Sequence, residues 1–91
     1  MTQEELAALL HETAERHHDA YAVTDGFDPD WPQWYASYLR GRLEELRSAP
    51  PDAEVAALLV ESDRAFRDTG RPFEDWPAFY AARMLPVLQL R

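Results

Sequence analysis

Apolar residues recur along this chain at intervals of three and four, the spacing that places side chains on one face of an α-helix. Four such stretches are separated by short segments that contain Gly, Pro and Asp, which break helices. The pattern therefore predicts an all-α fold with four amphipathic helices.

The first two predicted helices begin at recognisable capping sequences. Thr2 and Glu5 have the spacing of a capping box, and the apolar positions after them predict a helix from about Gln3 to about Ala22. Asp30 and Pro32 are typical of an N-cap and a first-turn proline, and the second helix should end before two consecutive prolines. Its apolar face consists of Trp31, Trp34, Tyr35, Tyr38, Leu39, Leu43 and Leu46.

The third and fourth helices have similar boundaries. The third runs from about Pro51 to Gly70, which is placed to act as a left-handed cap. Asp75-Trp76-Pro77 opens the fourth helix. Pro86 removes a backbone amide and clashes with the carbonyl four residues earlier, which predicts that this helix either kinks or stops near Leu85.

A repeat of 45 residues relates the two halves of the chain. Residues 30–36 read D-W-P-Q-W-Y-A, and residues 75–81 read D-W-P-A-F-Y-A. The same shift brings the first helix onto the third. The repeat predicts two helical hairpins, residues 1–47 and 48–91, that close a four-helix bundle within a single domain, 1–91.

Charge and composition narrow the possible partners. The 91 residues include no cysteine, which excludes disulfides and thiolate metal sites, and their net charge is -8. Most of this charge lies in the first half of the chain. There, Asp25 and Asp28 make the loop between the first two helices, called the first loop below, acidic. A negative surface disfavours nucleic acid and membrane lipid and favours a basic protein partner. With no signal-peptide pattern, the expected location is cytoplasmic.

The stretch from His17 to Leu39 resembles a known sequence pattern. Its D-W-x-x-W-Y-A-x-Y motif, which starts at Asp30, is similar to that of short helical bacterial proteins of unassigned function. Similar segments are associated with proteins of the glyoxalase and bleomycin-resistance types. The resemblance implies no activity and no catalytic residue.

Helix 1 carries a candidate metal site. His11, Glu15 and His18 follow one another at spacings of four and three, which places three possible ligands on one helical face. The same spacing is also found in a solvated polar face, which is the more common reason for it. The sequence therefore assigns no cofactor.

His17 is a candidate for acid–base chemistry because it falls on the apolar stripe of helix 1 and an imidazole titrates near neutral pH. It could work with Tyr35 or Tyr80 in a cleft of the bundle. Alternatively, it is a core histidine that is hydrogen-bonded to a tyrosine hydroxyl or a backbone carbonyl.

The aromatic band of helix 2, defined as Trp31, Trp34, Tyr35 and Tyr38, could stack on a planar ligand or fill the bundle core. If a ligand binds, it should lie between the two D-W-P motifs. Glycine-rich phosphate loops and the G-x-S-x-G and H-E-x-x-H motifs are absent, which leaves nucleotide hydrolysis, serine hydrolysis and metalloprotease chemistry without support.

The leading interpretation is thus a small accessory protein that binds a basic protein partner or a second copy of itself. The contacts would come from the aromatic band, Asp25 and Asp28. The alternative is a protein that binds a small ligand or a metal through the histidines of helix 1 and the aromatic band, or a small acid–base enzyme.

Overall fold

The described parts of the chain fold into α-helices, as the spacing of its apolar residues predicts. A computed structural model describes residues 1–42 and 51–89. These residues form α1 (Gln3–Ala20), α2 (Trp31–Arg42), α3 (Asp52–Thr69) and α4 (Trp76–Gln89), with short 3₁₀ helices at Ala22–Thr24 and Phe73–Asp75. No β-strand occurs in the described ranges, and the predicted all-α class is confirmed.

Local sequence sets the start of α1 and the end of α3. The Thr2 hydroxyl accepts a hydrogen bond from the Glu5 amide at 3.1 Å, and the Glu5 carboxylate accepts one from the Thr2 amide at 2.9 Å. These two bonds complete the predicted capping box. Gly70 ends α3 with a φ of 69°, in the left-handed region that glycine adopts without steric cost.

The end of α1 differs from the prediction by two residues. The chain leaves the helix after Ala20 and tightens into the 3₁₀ turn at Ala22–Thr24. Asp25 and Gly26 then adopt positive φ angles of 56° and 84°, which are incompatible with an α-helix. The Gly26 amide donates to the carbonyl of Tyr21 at 2.8 Å, so this turn takes the place of the last predicted helical turn.

The fourth helix continues through Pro86 to Gln89, so it does not stop at Leu85. A proline inside a helix costs one backbone hydrogen bond and crowds the preceding turn. Met84 and Leu88 are buried on either side of it, at 0% and 7% exposure. Packing of these two side chains offsets the cost of the proline.

Each helix packs against two others around one core. α1 shares its most extensive contacts with α4, and α2 shares its most extensive contacts with α3. The largest fully buried apolar side chains come from all four helices: Leu6, Leu10, Leu39, Val55, Leu59 and Met84. In the residues that the structure describes, the four α-helices therefore form an arrangement in which the larger interfaces join the two halves of the chain.

Some predicted features lie outside the described residues. These are the boundary between residues 47 and 48 and the last two apolar positions of helix 2, Leu43 and Leu46. Within the described ranges, every helix is too short or too polar to cross a lipid bilayer.

Candidate functional site

A cleft of about 720 Å³ opens between the helices at the ends where α2 and α4 begin. Clefts that bind small molecules in proteins typically measure roughly 300–1,000 Å³. Its apolar lining is mostly aromatic and consists of Ala14, Trp31, Tyr35, Phe66, Phe73, Trp76 and Tyr80. Its polar lining consists of His11, Glu15, His18, Asp19, Asp63, Arg67 and Arg71.

The aromatic rings of the cleft are packed against one another. Trp31 and Tyr35, in the first turns of α2, meet edge to face with ring centroids 5.2 Å apart. Trp76 and Tyr80, in the first turns of α4, make the same kind of contact at 4.9 Å. The Tyr35 and Trp76 rings, 6.5 Å apart, connect the two pairs. The aromatic wall is thus continuous from one half of the protein to the other.

The two tyrosine hydroxyls in this wall have different surroundings. The Tyr80 hydroxyl donates to Oδ1 of Asp63 at 2.7 Å, and Nε of Arg67 donates to the other carboxylate oxygen at 2.9 Å. The Tyr35 hydroxyl has no hydrogen-bond partner among the described residues. Burial raises the pKa of Tyr35 to about 12, and burial together with the bond to Asp63 raises the pKa of Tyr80. Both phenols therefore keep their protons at neutral pH.

Charged side chains of both signs line the cleft. Nδ1 of His11 lies 3.2 Å from the carboxylate of Glu15, and both side chains are largely exposed. The guanidinium group of Arg71 lies over the ring of Phe79, 5.5 Å from its centroid. This cation–π contact holds the positive charge of a residue that lines the cleft.

The structure places the three predicted metal ligands in the lining of this cleft. His11 and Glu15 contact each other, whereas the ring of His18 packs against Gly26 in the first loop. In the part of the chain that the structure describes, no three His, Asp or Glu side chains are grouped so that they could hold a metal ion. His11, Glu15 and His18 thus line one wall of the cleft, but their side chains do not converge on one point.

His17 forms a buried pair with Asp28. The Nε2 atom of His17 lies 2.9 Å from Oδ2 of Asp28, and the two side chains are only 7% and 6% exposed. The His17 ring also stacks on Tyr21, with centroids 4.7 Å apart. Oδ1 of Asp28 accepts the amide of Asp30 at 2.9 Å. The hydrogen bond with His17 lowers the pKa of Asp28 below its usual range.

This pair changes two of the sequence-based interpretations. The partner of His17 is a carboxylate, where the sequence suggested a tyrosine hydroxyl or a backbone carbonyl. Asp28 was expected on an exposed acidic loop with Asp25, but only Asp25 is exposed. The reason is the turn at Asp25 and Gly26, which directs the next residues back onto α1.

The predicted acid–base residues are only partly brought together. Tyr35 and Tyr80 line the cleft, whereas His17 is not part of its lining. The His17 ring contacts the Tyr35 ring with centroids 5.4 Å apart. His17 thus packs against the ring of Tyr35, and its Nε2 atom bonds to Asp28 and not to a group in the cleft.

The aromatic band of helix 2 divides into two parts. Trp31 and Tyr35 line the cleft, as described above. Trp34 and Tyr38 instead stack on each other, with centroids 5.4 Å apart and an angle of 10° between the rings. The Tyr38 hydroxyl donates to the carboxylate of Glu12 at 2.7 Å. This second pair therefore packs α2 against α1.

Sequence reasoning missed the contribution of α3 and the following loop. Asp63, Phe66, Arg67, Arg71 and Phe73 line the cleft, and none of them is a candidate in the sequence analysis. One available signal is the repeat, since a shift of 45 residues places the cleft residue His18 at Asp63. The other four positions show no comparable pattern.

Comparison of the chain with protein-family models, curated proteins and solved structures finds no match. The chemistry of the cleft itself indicates what it can hold. It offers aromatic surface for a flat apolar group, one phenol whose hydroxyl is unpaired, and charged side chains of both signs.

Proposed function

We propose that this protein binds a small organic ligand whose flat, apolar part lies between Trp31 and Trp76. The observation that carries the proposal is the cleft of about 720 Å³, to which both indole groups and both phenols contribute. Aromatic contacts contribute roughly 0.5–1.5 kcal/mol each beyond the burial of apolar area. Rings that already pack on one another lose little freedom when the ligand arrives, which favours binding.

We also propose that the cleft lies at the junction of an internal duplication. Trp31 and Trp76 are separated by 45 residues, and so are Tyr35 and Tyr80. Within each half, the Trp and the Tyr meet edge to face at nearly the same distance, 5.2 and 4.9 Å. Equivalent residues with equivalent contacts on both sides of one cleft support this origin.

The turns after α1 and α3 also support the duplication. Asp25 and Gly70, again 45 residues apart, both have positive φ, at 56° and 69°. The residues just before them, Thr24 and Thr69, each donate a side-chain hydrogen bond to the carbonyl three residues earlier. The same turn chemistry thus follows the first helix of each half.

A cleft-filling variant tests the ligand proposal. Ala14 lines the cleft, whereas Ala8 is exposed on the same helix, so Ala14→Trp and Ala8→Trp form a matched pair. With indane as a flat apolar probe, we expect saturable NMR shifts of the Trp31 and Trp76 indole resonances in the wild type and in Ala8→Trp. Ala14→Trp should abolish them because the new ring occupies the space. Unchanged indane binding in Ala14→Trp, or none in the wild type, contradicts the proposal.

A second candidate function is the binding of a protein partner with a basic surface. In the first loop, Val23 and Phe27 are 102% and 72% exposed beside the exposed carboxylate of Asp25. Exposed apolar residues beside an acidic group are typical of an interaction surface. If the loop binds such a partner, native mass spectrometry of the wild-type protein purified from its host should show a second protein bound to it. The Phe27→Ser variant should be purified without that protein. Val60→Ser, a change at an exposed apolar residue of α3, should retain it.

A further inference from the structure

We infer that the Tyr35 hydroxyl orients the ligand in the cleft, and that the ligand carries a neutral hydrogen-bond acceptor, such as a carbonyl oxygen or a ring nitrogen, on its flat part. The inference rests on the proposed function, because it assigns the polar contact of the same site. Tyr35 is thus proposed to determine which ligands bind, by selecting those that carry an acceptor.

Tyr35 and Tyr80, which are separated by 45 residues, differ in the hydrogen bonding of their hydroxyls. Tyr80 donates its hydroxyl proton to Asp63 at 2.7 Å, which satisfies the donor within the protein. Tyr35 occupies the equivalent position in the first half, and the residue equivalent to Asp63 there is His18. No hydrogen bond joins His18 and Tyr35 in the described residues. One phenol is therefore paired, and the other has an unused donor on a residue that lines the cleft.

An unused donor at such a place favours a ligand that can accept from it. Polar groups that leave water are usually hydrogen-bonded, so a ligand that displaces water from the Tyr35 hydroxyl must replace that contact. Burial raises the pKa of Tyr35 to about 12, so the hydroxyl stays protonated and acts as a donor at neutral pH. The complementary group on the ligand is an acceptor.

The position of Tyr35 determines which part of the ligand meets it. Its ring centroid lies 5.2 Å from that of Trp31 and 6.5 Å from that of Trp76. A ligand that touches both indoles is thus held beside the phenol. The acceptor consequently belongs to the flat part of the ligand and not to a distant flexible arm.

The charges around the cleft favour a neutral acceptor over an anionic one. Asp63 and Arg67 neutralise each other at 2.9 Å, and the lining also contains the acids Glu15 and Asp19 and the base Arg71. The whole chain carries a net charge of -8. This field opposes the approach of an anion.

A matched pair of probes tests the inference. Indane and 1-indanone have nearly the same shape, but only 1-indanone carries a carbonyl acceptor. We expect the ratio of the two dissociation constants to favour 1-indanone about three- to tenfold more in the wild type than in Tyr35→Phe. Tyr35→Phe should raise the indane affinity, because indane covers the Tyr35 hydroxyl without accepting its proton. Tyr38→Phe, which removes a phenol hydroxyl outside the cleft, should keep the wild-type ratio.

The outcomes separate the inference from the function on which it rests. If neither probe binds the wild type, the proposed function fails and the inference fails with it. If both probes bind and Tyr35→Phe leaves the ratio unchanged, the inference is overturned while the proposed function stands. Nuclear Overhauser contacts in the wild type give a readout that needs no variant. Contacts from the Tyr35 ring to the 1-indanone proton beside the carbonyl support the inference, and their absence in a complex that forms overturns it.

Discussion

His17 and Asp28 lie 11 residues apart in the sequence, and their buried pair closes the first loop onto α1. The hydrogen bond with His17 lowers the pKa of Asp28 below its ordinary value of 3.8. A carboxylate with a lowered pKa stabilises the fold at pH values above its ordinary pKa, and this contribution is lost as the pH falls through the folded-state pKa. Asp28→Asn should therefore lower the urea midpoint at pH 7, and its difference from the wild type should shrink between pH 4 and 2.

Asp25→Asn is the matched control for this prediction. Asp25 lies three residues earlier in the same loop, but it is exposed. Its urea midpoint should follow the wild type at every pH. A constant difference between Asp28→Asn and the wild type over the whole pH range would show that the carboxylate charge has no role.

Gly26 combines a backbone requirement with a close contact. Its φ of 84° is unfavourable for any residue with a Cβ atom, and an added Cβ would lie 2.8 Å from Nδ1 of His18. We expect Gly26→Ala to lower the free energy of unfolding by about 1–2 kcal/mol, measured by urea denaturation. Because His18 must move, the NMR resonances of this cleft residue should shift as well.

Two other glycines help to separate the backbone cost from the cost of the contact with His18. Gly70 has a φ of 69° with open space where a Cβ would lie, so Gly70→Ala reports the backbone cost alone. Gly41 lies in α2 with open space around it, so Gly41→Ala should raise the free energy of unfolding by about 0.5–1 kcal/mol. If Gly26→Ala and Gly70→Ala leave the His18 resonances equally unchanged, the contact with Gly26 is not significant.

At the scale of the elements, Pro86 is the least favourable feature of α4. It lies inside the helix and is exposed, so Pro86→Ala restores a backbone hydrogen bond and removes no core contact. We expect this variant to raise the free energy of unfolding by about 1–3 kcal/mol in urea denaturation. Pro77→Ala, in the first turn of α4, should change it by less than about 1 kcal/mol, because amides there have no partner within the helix. Equal effects of the two variants would contradict this explanation.

The local sequence predicts the helices well, but it predicts the cleft only in part. Capping at Thr2 and the left-handed cap at Gly70 depend on neighbouring residues, so pattern and propensity predict them well. The pair of His17 and Asp28 depends on how a loop folds back, which no local pattern encodes. The D-W-P motifs indicated where a ligand site would lie, and Trp31 and Trp76 do line the cleft. Its α3 wall depends on the packing of helices distant in sequence.

At the scale of the whole molecule, the two halves depend on each other for stability. The more extensive interfaces, between α1 and α4 and between α2 and α3, run between the halves. Half of a 91-residue chain is also too small to bury a sufficient core on its own. We therefore expect the two halves to unfold together as one cooperative unit, whatever their origin.

Two single-tryptophan variants test this cooperativity. One keeps Trp34 as a reporter in α2 and the other keeps Trp76 as a reporter in α4, with the remaining tryptophans replaced by Phe. In each variant, the urea midpoint from tryptophan fluorescence should coincide with the midpoint from far-ultraviolet circular dichroism. Two separated midpoints would indicate that each half unfolds by itself.

A core substitution in one half makes the test stronger. Met84 is fully buried in α4, so Met84→Ala removes apolar contacts and should cost about 2–5 kcal/mol. If the fold is one unit, this change must lower the midpoint that Trp34 reports in α2 as much as the midpoint from circular dichroism. If Trp34 keeps its midpoint, the first half is stable without the second. In that case the cleft, which both halves line, would be lost when the halves separate, while the first half stays folded. If the midpoints instead fall together, the cleft and the whole fold are lost in one transition.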